Sequence, residues 1–358
     1  MQQFDTVIIG GGPGGLACAA ALAHKGAKVL LLERKQRLGA KVCAGGVTWS
    51  GLGAKLPPEL IERSFAVQKI SSSWQTATLQ AHIPIISTVN RLHLGRHMAE
   101  KALAAGATIK AGVSVREIHD HHLTTTDGAF GYRFLVGADG SSSLVRRYLR
   151  LPAERMGIGI NCQMETTFAE MEWCLDSKRF GCGYAWIFPH RDSTSIGAYV
   201  DRRAMNATTL LERFLDWCAH RGIDLHGCRP RASLINFDFR GYRFGNRFLV
   251  GDAAGLASGL TGEGIYPAIL SGETIAELIA DPAADTGRLD RLIHRQRHHH
   301  RFLSRVGKNR LCSLLCSEAI LLGLRTGLIP LHALEMGAEQ PAPSQPQSHR
   351  YHQQGSAR

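Results

Sequence analysis

The segment that most constrains this chain is its first one, where an apolar run passes through a cluster of glycines into a second apolar run. Residues 4–9 predict a buried strand, and Gly10, Gly12 and Gly15 follow it at the spacing of a dinucleotide-binding turn. Gly10 permits the tight turn, Gly12 lets the backbone approach a pyrophosphate, and Gly15 lets the next helix lie close to the strand. That helix, which begins near Gly14, would direct its free N–H groups at the phosphates.

A second predicted strand supports this interpretation. Residues 28–33 form an apolar run that ends at Glu33, eighteen residues after Gly15. A carboxylate at this place can accept hydrogen bonds from a ribose diol, and we include the adjacent Arg34 among the predicted cofactor contacts. The glycine turn alone does not distinguish FAD from NAD.

Two later segments each repeat the pattern of an apolar strand that ends at an acidic residue. Residues 132–146 lead into Asp139 and then a serine-capped helix, and residues 247–255 lead into Gly251 and Asp252. With the glycine turn, these segments resemble the FAD-dependent oxidoreductases of the para-hydroxybenzoate hydroxylase superfamily. In that superfamily the Asp-Gly segment braces the cofactor region and the Gly-Asp segment binds ribose and ribityl hydroxyls, so the resemblance implies FAD as the cofactor.

Within the superfamily, the chain is similar to the geranylgeranyl reductase family, whose members saturate isoprenoid double bonds. The stretches that carry this resemblance are Lys-Val-Cys-Ala-Gly-Gly at 41–46, Gly-Tyr-Ala-Trp-Ile-Phe-Pro at 183–189, and residues 251–266. The resemblance covers about residues 1–280. Ala44 stands where the family usually has glycine, and Leu94-Gly95 replaces the usual Phe-Asp pair after Arg91. The implied chemistry is hydride transfer from reduced flavin to an alkene carbon, with a proton delivered to the neighbouring carbon.

The resemblance also implies roles for single residues. Cys43 corresponds to the family's functionally important cysteine near the flavin, whereas by residue type alone a buried inert thiol is the commoner state. Gly262 and Gly264, on either side of Glu263, would present backbone N–H groups to the N1 and O2 edge of the flavin. Arg91 resembles the superfamily arginine that reaches FAD, and an arginine on a surface helix is the alternative.

Aromatic residues alternate along one predicted strand. Tyr184, Trp186 and Phe188 would project to one face and could form an apolar wall beside the flavin. We therefore place Tyr184 and Trp186 with Cys43 in the predicted catalytic site. Aromatic residues favour strands in any case, so an ordinary sheet core is the alternative.

The predicted fold class is α/β. A Rossmann-like FAD-binding domain is interleaved with an α+β substrate domain that contains an antiparallel sheet, and a helical region follows. The predicted boundaries are 1–65, 87–157 and 241–280 for the FAD-binding domain, 66–86 and 158–240 for the substrate domain, 281–336 for the helical region, and 337–358 for a disordered tail of Gln, Pro, Ser and Ala. Within them we expect a helix at 91–105, a strand at 108–118 and a helix at 311–328.

Cysteine and histidine placement argues against metal sites and disulfides. The nine cysteines have irregular spacing without a paired Cys-x-x-Cys, so we expect no disulfide framework and no zinc site. His298, His299 and His300 point about 100° apart on a helix and cannot converge on one ion. The first apolar run is the predicted nucleotide-binding strand itself, so we do not expect a secretory signal. We expect a cytoplasmic location.

The formal net charge of +12 raises the question of anionic partners. Nine Lys or Arg residues lie between Arg288 and Arg325, and they form either a solvated helix face or a surface for anionic lipid head groups or a prenyl diphosphate. We expect no nucleic acid partner, because no binding module accompanies the charge. The apolar helix at 311–328 is too short and too charged to span a membrane, so it would dock on the fold or lie on a bilayer as a peripheral element.

Other functions remain open for the same scaffold. The rival enzyme is an aromatic or quinone-ring monooxygenase that uses NAD(P)H and oxygen. A redox-inert flavoprotein or a membrane-associated scaffold is the non-enzymatic alternative. A halogenase is disfavoured, because Tyr184 and Phe188 occupy the diagnostic positions of the halogenase Trp-x-Trp-x-Ile-Pro element. The isoprenoid and the reductant, NAD(P)H or ferredoxin, are left open.

Overall fold

The computed structural model describes residues 1–307, 309–330 and 335–337. These residues form two compact units, and each unit is built from separate parts of the chain. The first unit contains Met1–Lys41, Arg91–Gly157 and Leu234–His300, and the second contains Val42–Asn90, Ile158–Ser233 and the described residues from Arg301 onward. The predicted disordered tail at 337–358 lies outside the described residues, apart from Gly337.

The strands and helices follow one another along the chain with short connections. The strands are β1 Gln2–Ile9, β2 Val29–Glu33, β3 Gly46–Thr48, β4 Ile61–Phe65, β5 Val67–Ser72, β6 Thr76–Gln80, β7 Ile86–Val89, β8 Thr108–Ala111, β9 Val115–Ile118, β10 His122–Thr125, β11 Gly128–Gly137, β12 Met156–Met164, β13 Glu172–Leu175, β14 Tyr184–Pro189, β15 Thr194–Asp201, β16 Arg231–Asn236, β17 Arg243–Phe244 and β18 Arg247–Leu249. The helices are α1 Pro13–His24, α2 Arg91–Ala104, α3 Leu144–Tyr148, α4 Ser177–Phe180, α5 Ala207–His220, α6 Gly251–Ala254, α7 Ile265–Ala280, α8 Gly287–Val306 and α9 Arg310–Thr326.

The first unit is built on a mainly parallel sheet with the strand order β17-β18-β11-β1-β2-β8. Strands β18, β11, β1, β2 and β8 run parallel, and the apolar run of β2 is buried. Continuous burial is typical of parallel strands that are covered on both faces. The helices α1 and α7 pack closely, because a Cβ atom on Gly272 would lie 2.2 Å from the carbonyl oxygen of Gly14. The predicted Rossmann-like architecture is therefore confirmed.

One predicted strand of this unit is wrong in its extent. The strand expected at 108–118 is two strands, because the chain turns at Gly112 and Val113. β8 pairs with β2, whereas β9 pairs antiparallel with β10. The apolar pattern marked both strands but did not show the turn between them.

The second unit contains a mixed sheet with the order β16-β12-β15-β14-β13-β5-β6 and a small sheet with the order β3-β7-β4. The pairs β13–β14 and β14–β15 are antiparallel, as the predicted substrate domain requires. Helix α9 packs on β5 and β6 through Leu321 and Leu324, which contact Ile70 and Leu79.

The division of the chain differs from the predicted boundaries. Residues 42–65, expected in the FAD-binding domain, belong to the second unit, because β3 and β4 pair with β7 rather than with the parallel sheet. Residues 87–90, also expected in the FAD-binding domain, belong to the second unit, and residues 234–240 belong to the first unit instead of the substrate domain. The predicted helical region is divided, because residues 281–300 join the first unit and the described residues from 301 onward join the second.

The described residues contain neither a membrane-spanning helix nor a cluster of metal ligands. None of the helices in this part of the chain combines the length and the apolar character needed to cross a bilayer. No group of three or more His, Cys, Asp or Glu side chains within it could hold a metal ion.

Candidate functional site

The glycine turn between β1 and α1 is closed by backbone atoms of the protein itself. Gly10 has a φ of +111°, and a Cβ atom there would lie 2.3 Å from the carbonyl oxygen of Ala138. A Cβ atom on Gly15 would lie 2.0 Å from the carbonyl oxygen of Gly10, and one on Gly14 would lie 2.8 Å from that of Ala268. A side chain at any of these three positions would clash with the backbone, so only glycine allows β1, α1 and the neighbouring segments to lie this close together.

Gly12 differs from the other glycines of the turn. The nearest heavy atom to a Cβ atom on Gly12 would be 4.0 Å away, and its φ of −80° is open to any residue. The protein therefore leaves space beside Gly12, where the backbone precedes the first turn of α1. An open cradle at the N-terminus of a helix fits a pyrophosphate, because the helix directs unpaired N–H groups and a positive partial charge toward it.

Glu33 lies beside this turn at the end of β2. One of its carboxylate oxygens accepts the N–H of Gly11 at 2.7 Å and the other accepts the N–H of Lys35 at 2.9 Å. A carboxylate oxygen has two lone pairs, so both oxygens retain capacity for a ribose hydroxyl. Arg34 is exposed.

Arg91 begins α2, and the residue is only 9% exposed. Its Nε and Nη1 atoms are buried without a hydrogen-bond partner among the described residues. A buried guanidinium without a counter-charge costs several kcal/mol, on the order of 3–5 when its partner has been removed. An anionic group of a bound cofactor would supply the missing acceptors, so Arg91 fits a role in holding the FAD diphosphate.

Asp139 makes its contacts with the start of α3, and its role beside a cofactor stays a prediction. Its carboxylate accepts the Ser143 hydroxyl at 2.5 Å and the Leu144 N–H at 2.5 Å, which caps the start of α3. Burial raises the pKa of Asp139 above its usual value, and the Ser143 and Leu144 hydrogen bonds act in the opposite direction. The Asp139 Cα atom would lie 2.8 Å from a Cβ atom on Gly10, so the backbone at Asp139 packs directly against the glycine turn.

Asp252 follows β18 in the first turn of α6. Its Oδ2 atom accepts Lys41 Nζ at 2.6 Å and Ser141 Oγ at 2.9 Å. The other carboxylate oxygen would lie 3.3 Å from a Cβ on Gly264. The structure thus brings the Gly251-Asp252 segment together with the loop that precedes α7, and Lys41 and Ser141 fix the direction of the carboxylate.

The loop from Gly262 to Gly264 corrects one prediction. The N–H of Gly262 donates to the Ser258 carbonyl at 3.0 Å, so in this structure it does not point at a cofactor. Gly264 is the residue before α7, a helix of 16 residues whose first-turn N–H groups have no partner within the helix. Those groups, rather than the N–H of Gly262, fit the predicted stabilisation of the flavin edge.

Sequence reasoning missed the residue that shapes this loop. Ser258 is fully buried, and its hydroxyl accepts the Thr261 N–H at 3.0 Å and contacts His299 Nδ1 at 2.9 Å. Of the three consecutive histidines, His299 therefore enters the core while His298 is exposed. The contact joins residues 41 positions apart, and no spacing rule in the sequence indicates it.

In the second unit, Cys43 lies in a loop held by the buried His190 and its partner Glu62. Cys43 is half-buried, and its sulfur accepts the Gly45 N–H at 3.4 Å. His190 Nε2 lies 3.0 Å from the Ala44 carbonyl oxygen, and its Nδ1 pairs with a carboxylate oxygen of Glu62. Gly45 has a φ of +78°, and a Cβ there would lie 2.6 Å from the imidazole Cε1 atom. The imidazole thus fixes the backbone on the C-terminal side of Cys43.

The two ring nitrogens of His190 contact different parts of the second unit. The Ala44 carbonyl oxygen lies next to Nε2 and the Glu62 carboxylate lies next to Nδ1, so the imidazole links the Cys43 loop to β4. The sequence did not point to this pair, whose members are 128 residues apart. The one available signal was a histidine directly after the Tyr-x-Trp-x-Phe-Pro strand.

Tyr184, Trp186 and Phe188 lie on one face of β14, as their alternation predicts. The Trp173 ring centroid lies 4.7 Å from that of Phe188, and Trp186 Nε1 donates to the Ser195 hydroxyl at 3.0 Å. All three predicted residues are buried in this aromatic layer. Their packing is that of a sheet core, and a contact with substrate stays a prediction.

Comparisons with known proteins agree with this geometry. A family model described as an NAD(P)-binding Rossmann-like domain matches residues 8–60. The chain is 28% identical to digeranylgeranylglycerophospholipid reductase 2 of Methanosphaera stadtmanae, over 80% of this chain and 80% of that protein. It is 29% identical to the chloroplastic geranylgeranyl diphosphate reductase of Arabidopsis thaliana, over 78% of this chain and 66% of that protein.

Solved structures share the fold at lower identity. A geranylgeranyl bacteriochlorophyll reductase-like protein from Thermoplasma acidophilum has a TM-score of 0.69 at 20% identity, over 90% of this chain and 88% of that one. PqsL of Pseudomonas aeruginosa, a probable FAD-dependent monooxygenase, has a TM-score of 0.62 at 18% identity, over 90% of this chain and 97% of that one. The predicted resemblance and fold class are confirmed.

Proposed function

We propose that this FAD-dependent oxidoreductase, similar over most of its length to geranylgeranyl-type reductases, saturates carbon–carbon double bonds of an isoprenoid chain. One observation carries the proposal, namely the similarity over about four fifths of the chain to two reductases whose names specify geranylgeranyl groups. The loop that contains Cys43 and the aromatic strand β14 support the proposal further, because a shared fold alone does not require either feature. The proposal keeps the cytoplasmic location expected from the sequence.

The first unit supplies the proposed cofactor site. Gly12 and the N-terminus of α1 would hold the FAD diphosphate, Arg91 would neutralise it, and Glu33 and Asp252 would accept hydroxyl groups of the cofactor. When reduced, FAD supplies a hydride for the alkene. The N–H groups at the start of α7 would stabilise negative charge on its ring system.

The second unit supplies the proposed substrate chemistry. Saturation of an alkene needs a proton as well as a hydride, and Cys43 Sγ is the group that we propose holds it. The His190–Glu62 pair orients the loop, and the apolar face of β14 excludes water from an isoprenoid chain. Tyr184 and Trp186 act in this proposal by contact with the chain.

The first test replaces the thiol. Cys43→Ala should keep the yellow colour of bound flavin and lose alkene saturation by at least about a hundredfold, because general acid catalysis contributes about 10²–10⁴. Mass spectrometry of a geranylgeranyl lipid incubated with dithionite-reduced protein measures the gain of two hydrogens per bond. Cys312→Ala, at an exposed thiol, is the matched control. Unchanged turnover in Cys43→Ala would remove Cys43 from the mechanism.

A second candidate function rests on the fold shared with PqsL. A monooxygenase would consume oxygen in proportion to a hydroxylated product and would use NAD(P)H. Oxygen uptake measured with aromatic and quinone acceptors separates the two functions. Stoichiometric hydroxylation, or a short aromatic acid rather than a polyene in the lipid extract of the purified protein, would replace the isoprenoid proposal.

A further inference from the structure

Helix α9 presents a stripe of large apolar side chains to solvent. Leu311, Leu315 and Leu322 are 59%, 53% and 44% exposed, and Leu328, just beyond the helix, is also exposed. Their spacing of four and seven residues places the three helical leucines on one side of α9. Leu321 and Leu324, on another side of the helix, pack on β5 and β6, and the three leucines remain exposed to solvent.

The exposed charged residues of α9 and of the last turns of α8 are all basic. Arg310 and Arg325 are exposed near the ends of α9, and Arg301 and Arg305 are exposed in the last turns of α8. Glu318 is the only acidic residue of α9, and it is buried. The exposed surface of α9 therefore carries cations and leucines without a carboxylate.

Glu318 uses its buried carboxylate to hold a tryptophan beside the stripe. It accepts the Ser72 hydroxyl at 2.8 Å, the Trp74 N–H at 3.2 Å and the Gln75 side-chain amide at 2.9 Å. These residues form the turn between β5 and β6, and Trp74 is 61% exposed. Glu318 is one helical turn from both Leu315 and Leu322, so the turn meets α9 at the level of the stripe.

We propose that this surface, consisting of Trp74, Leu311, Leu315 and Leu322 with Arg310 and Arg325, docks the protein on an anionic lipid bilayer. Leucine and tryptophan side chains enter the boundary between head groups and acyl chains, while arginines at its margin pair with lipid phosphates. The inference rests on the proposed function, because an isoprenoid lipid is stored in a bilayer and a reductase must reach it there.

Charge complementarity favours a bilayer over two other occupants. A second copy packed on the same surface would bring arginines of both copies together. The tail from 338 to 358 contains no Leu, Ile, Val, Phe or Trp that could cover a leucine stripe. Anionic head groups satisfy the arginines, and acyl chains bury the leucines.

The test uses the full-length flavoprotein and two kinds of vesicle. One kind contains phosphatidylcholine alone, and the other contains phosphatidylcholine with about 30% phosphatidylglycerol. The wild type should co-sediment with the anionic vesicles at least about tenfold more strongly than with the neutral ones, because each arginine near an acidic surface adds attraction to the lipid phosphates. Leu315→Ser with Leu322→Ser should weaken that binding by about tenfold or more. Leu215→Ser is the matched control, since Leu215 is an exposed leucine of α5 in the same unit.

Tryptophan fluorescence adds a local measurement. Emission of the wild type should shift to shorter wavelength with anionic vesicles, and Trp74→Phe should remove that shift. Equal binding to both vesicle types, or equal loss in Leu215→Ser, would overturn the proposal. A dimer by light scattering that the double leucine variant converts to a monomer would assign the stripe to a second copy instead. If deletion of residues 338–358 increased the exposure of the leucines in the absence of vesicles, the stripe would be assigned to the tail instead.

Failure of this inference is distinguishable from failure of the proposed function. The double leucine variant should retain flavin and should saturate a detergent-dispersed geranylgeranyl lipid at the wild-type rate. Vesicle binding without any alkene reduction would contradict the proposed function alone, and alkene reduction in detergent without vesicle binding would contradict only the docking surface.

Discussion

The glycine turn of the first unit and the Cys43 loop of the second unit both need glycine, for different reasons. At Gly10 and Gly15 the atoms that exclude a side chain are the backbone oxygens of Ala138, directly after β11, and of Gly10 in the turn itself. At Gly45 they are the imidazole of His190 and the Val89 carbonyl oxygen. Backbone atoms enclose Gly10 and Gly15, whereas Gly45 is also enclosed by an imidazole that the Glu62 carboxylate holds. The glycine turn should tolerate side-chain changes around it, whereas the Cys43 loop should fail when one distant residue is replaced.

The largest expected effect comes from the glycine turn. Gly15→Ala forces a Cβ atom to within 2.0 Å of a backbone oxygen, so we expect loss of about 3 kcal/mol or more in the free energy of unfolding. Gly12→Ala meets no protein atom closer than 4.0 Å, so the apoprotein should stay within about 1 kcal/mol of the wild type.

The pair of variants separates folding from cofactor binding. Thermal unfolding of the apoprotein measures the first, and flavin absorbance after titration with FAD measures the second. Gly12→Ala should lose FAD affinity by about a hundredfold, because its methyl group occupies the space beside the proposed diphosphate. Normal FAD uptake by Gly12→Ala would show that the cofactor does not lie against this residue.

The next effect concerns the His190–Glu62 pair. His190→Ala removes the contact with Ala44 and leaves the Glu62 carboxylate without its partner, so about 2–3 kcal/mol of stability should be lost. His190→Gln can still donate to the Ala44 carbonyl and should restore part of it.

The alkylation rate of Cys43, followed by peptide mass spectrometry, distinguishes a positioning role from a merely structural one. The rate should rise in His190→Ala and return toward wild type in His190→Gln, while the rate at the exposed Cys312 and the affinity for FAD stay constant. An unchanged rate at Cys43 in both variants would contradict the positioning role.

The smallest expected effect lies at Asp139. Its pKa is raised in the folded protein, so folding takes up a proton and this residue's contribution to stability falls as pH rises from the ordinary carboxyl pKa through the raised one. Asp139→Asn lacks that dependence. It also loses one acceptor for the start of α3, at about 1–2 kcal/mol, since an amide nitrogen cannot accept the Leu144 N–H.

Unfolding temperatures of both proteins between about pH 4 and pH 7 provide the measurement. The wild type should be destabilised with rising pH relative to Asp139→Asn, and parallel curves would mean that Asp139 titrates in the folded state as it does in the unfolded chain.

Much of the first unit was accessible from sequence because its signals are local. The glycine spacing, the acid at the end of β2 and the Asp139 and Asp252 segments each lie within about twenty residues of the strand that positions them, and the structure brings them into one unit. The assignment of residues 42–65 to this unit was wrong for the opposite reason. Strand pairing decided it, since β3 and β4 pair with β7, and a short strand does not reveal its partner.

By itself, the sequence determined a parallel nucleotide-binding sheet, a glycine cradle for a dinucleotide and a resemblance to flavin-dependent isoprenoid reductases, because backbone conformation at glycine is read from residue type and spacing. Only the tertiary structure decided that His190 holds the Cys43 loop, that His299 supports the loop before α7 and that Glu318 fixes Trp74 beside α9. These three depend on side chains that are 41 to 244 residues distant along the chain. Burial and hydrogen bonding select such partners in the folded molecule, and no periodicity in the chain encodes them.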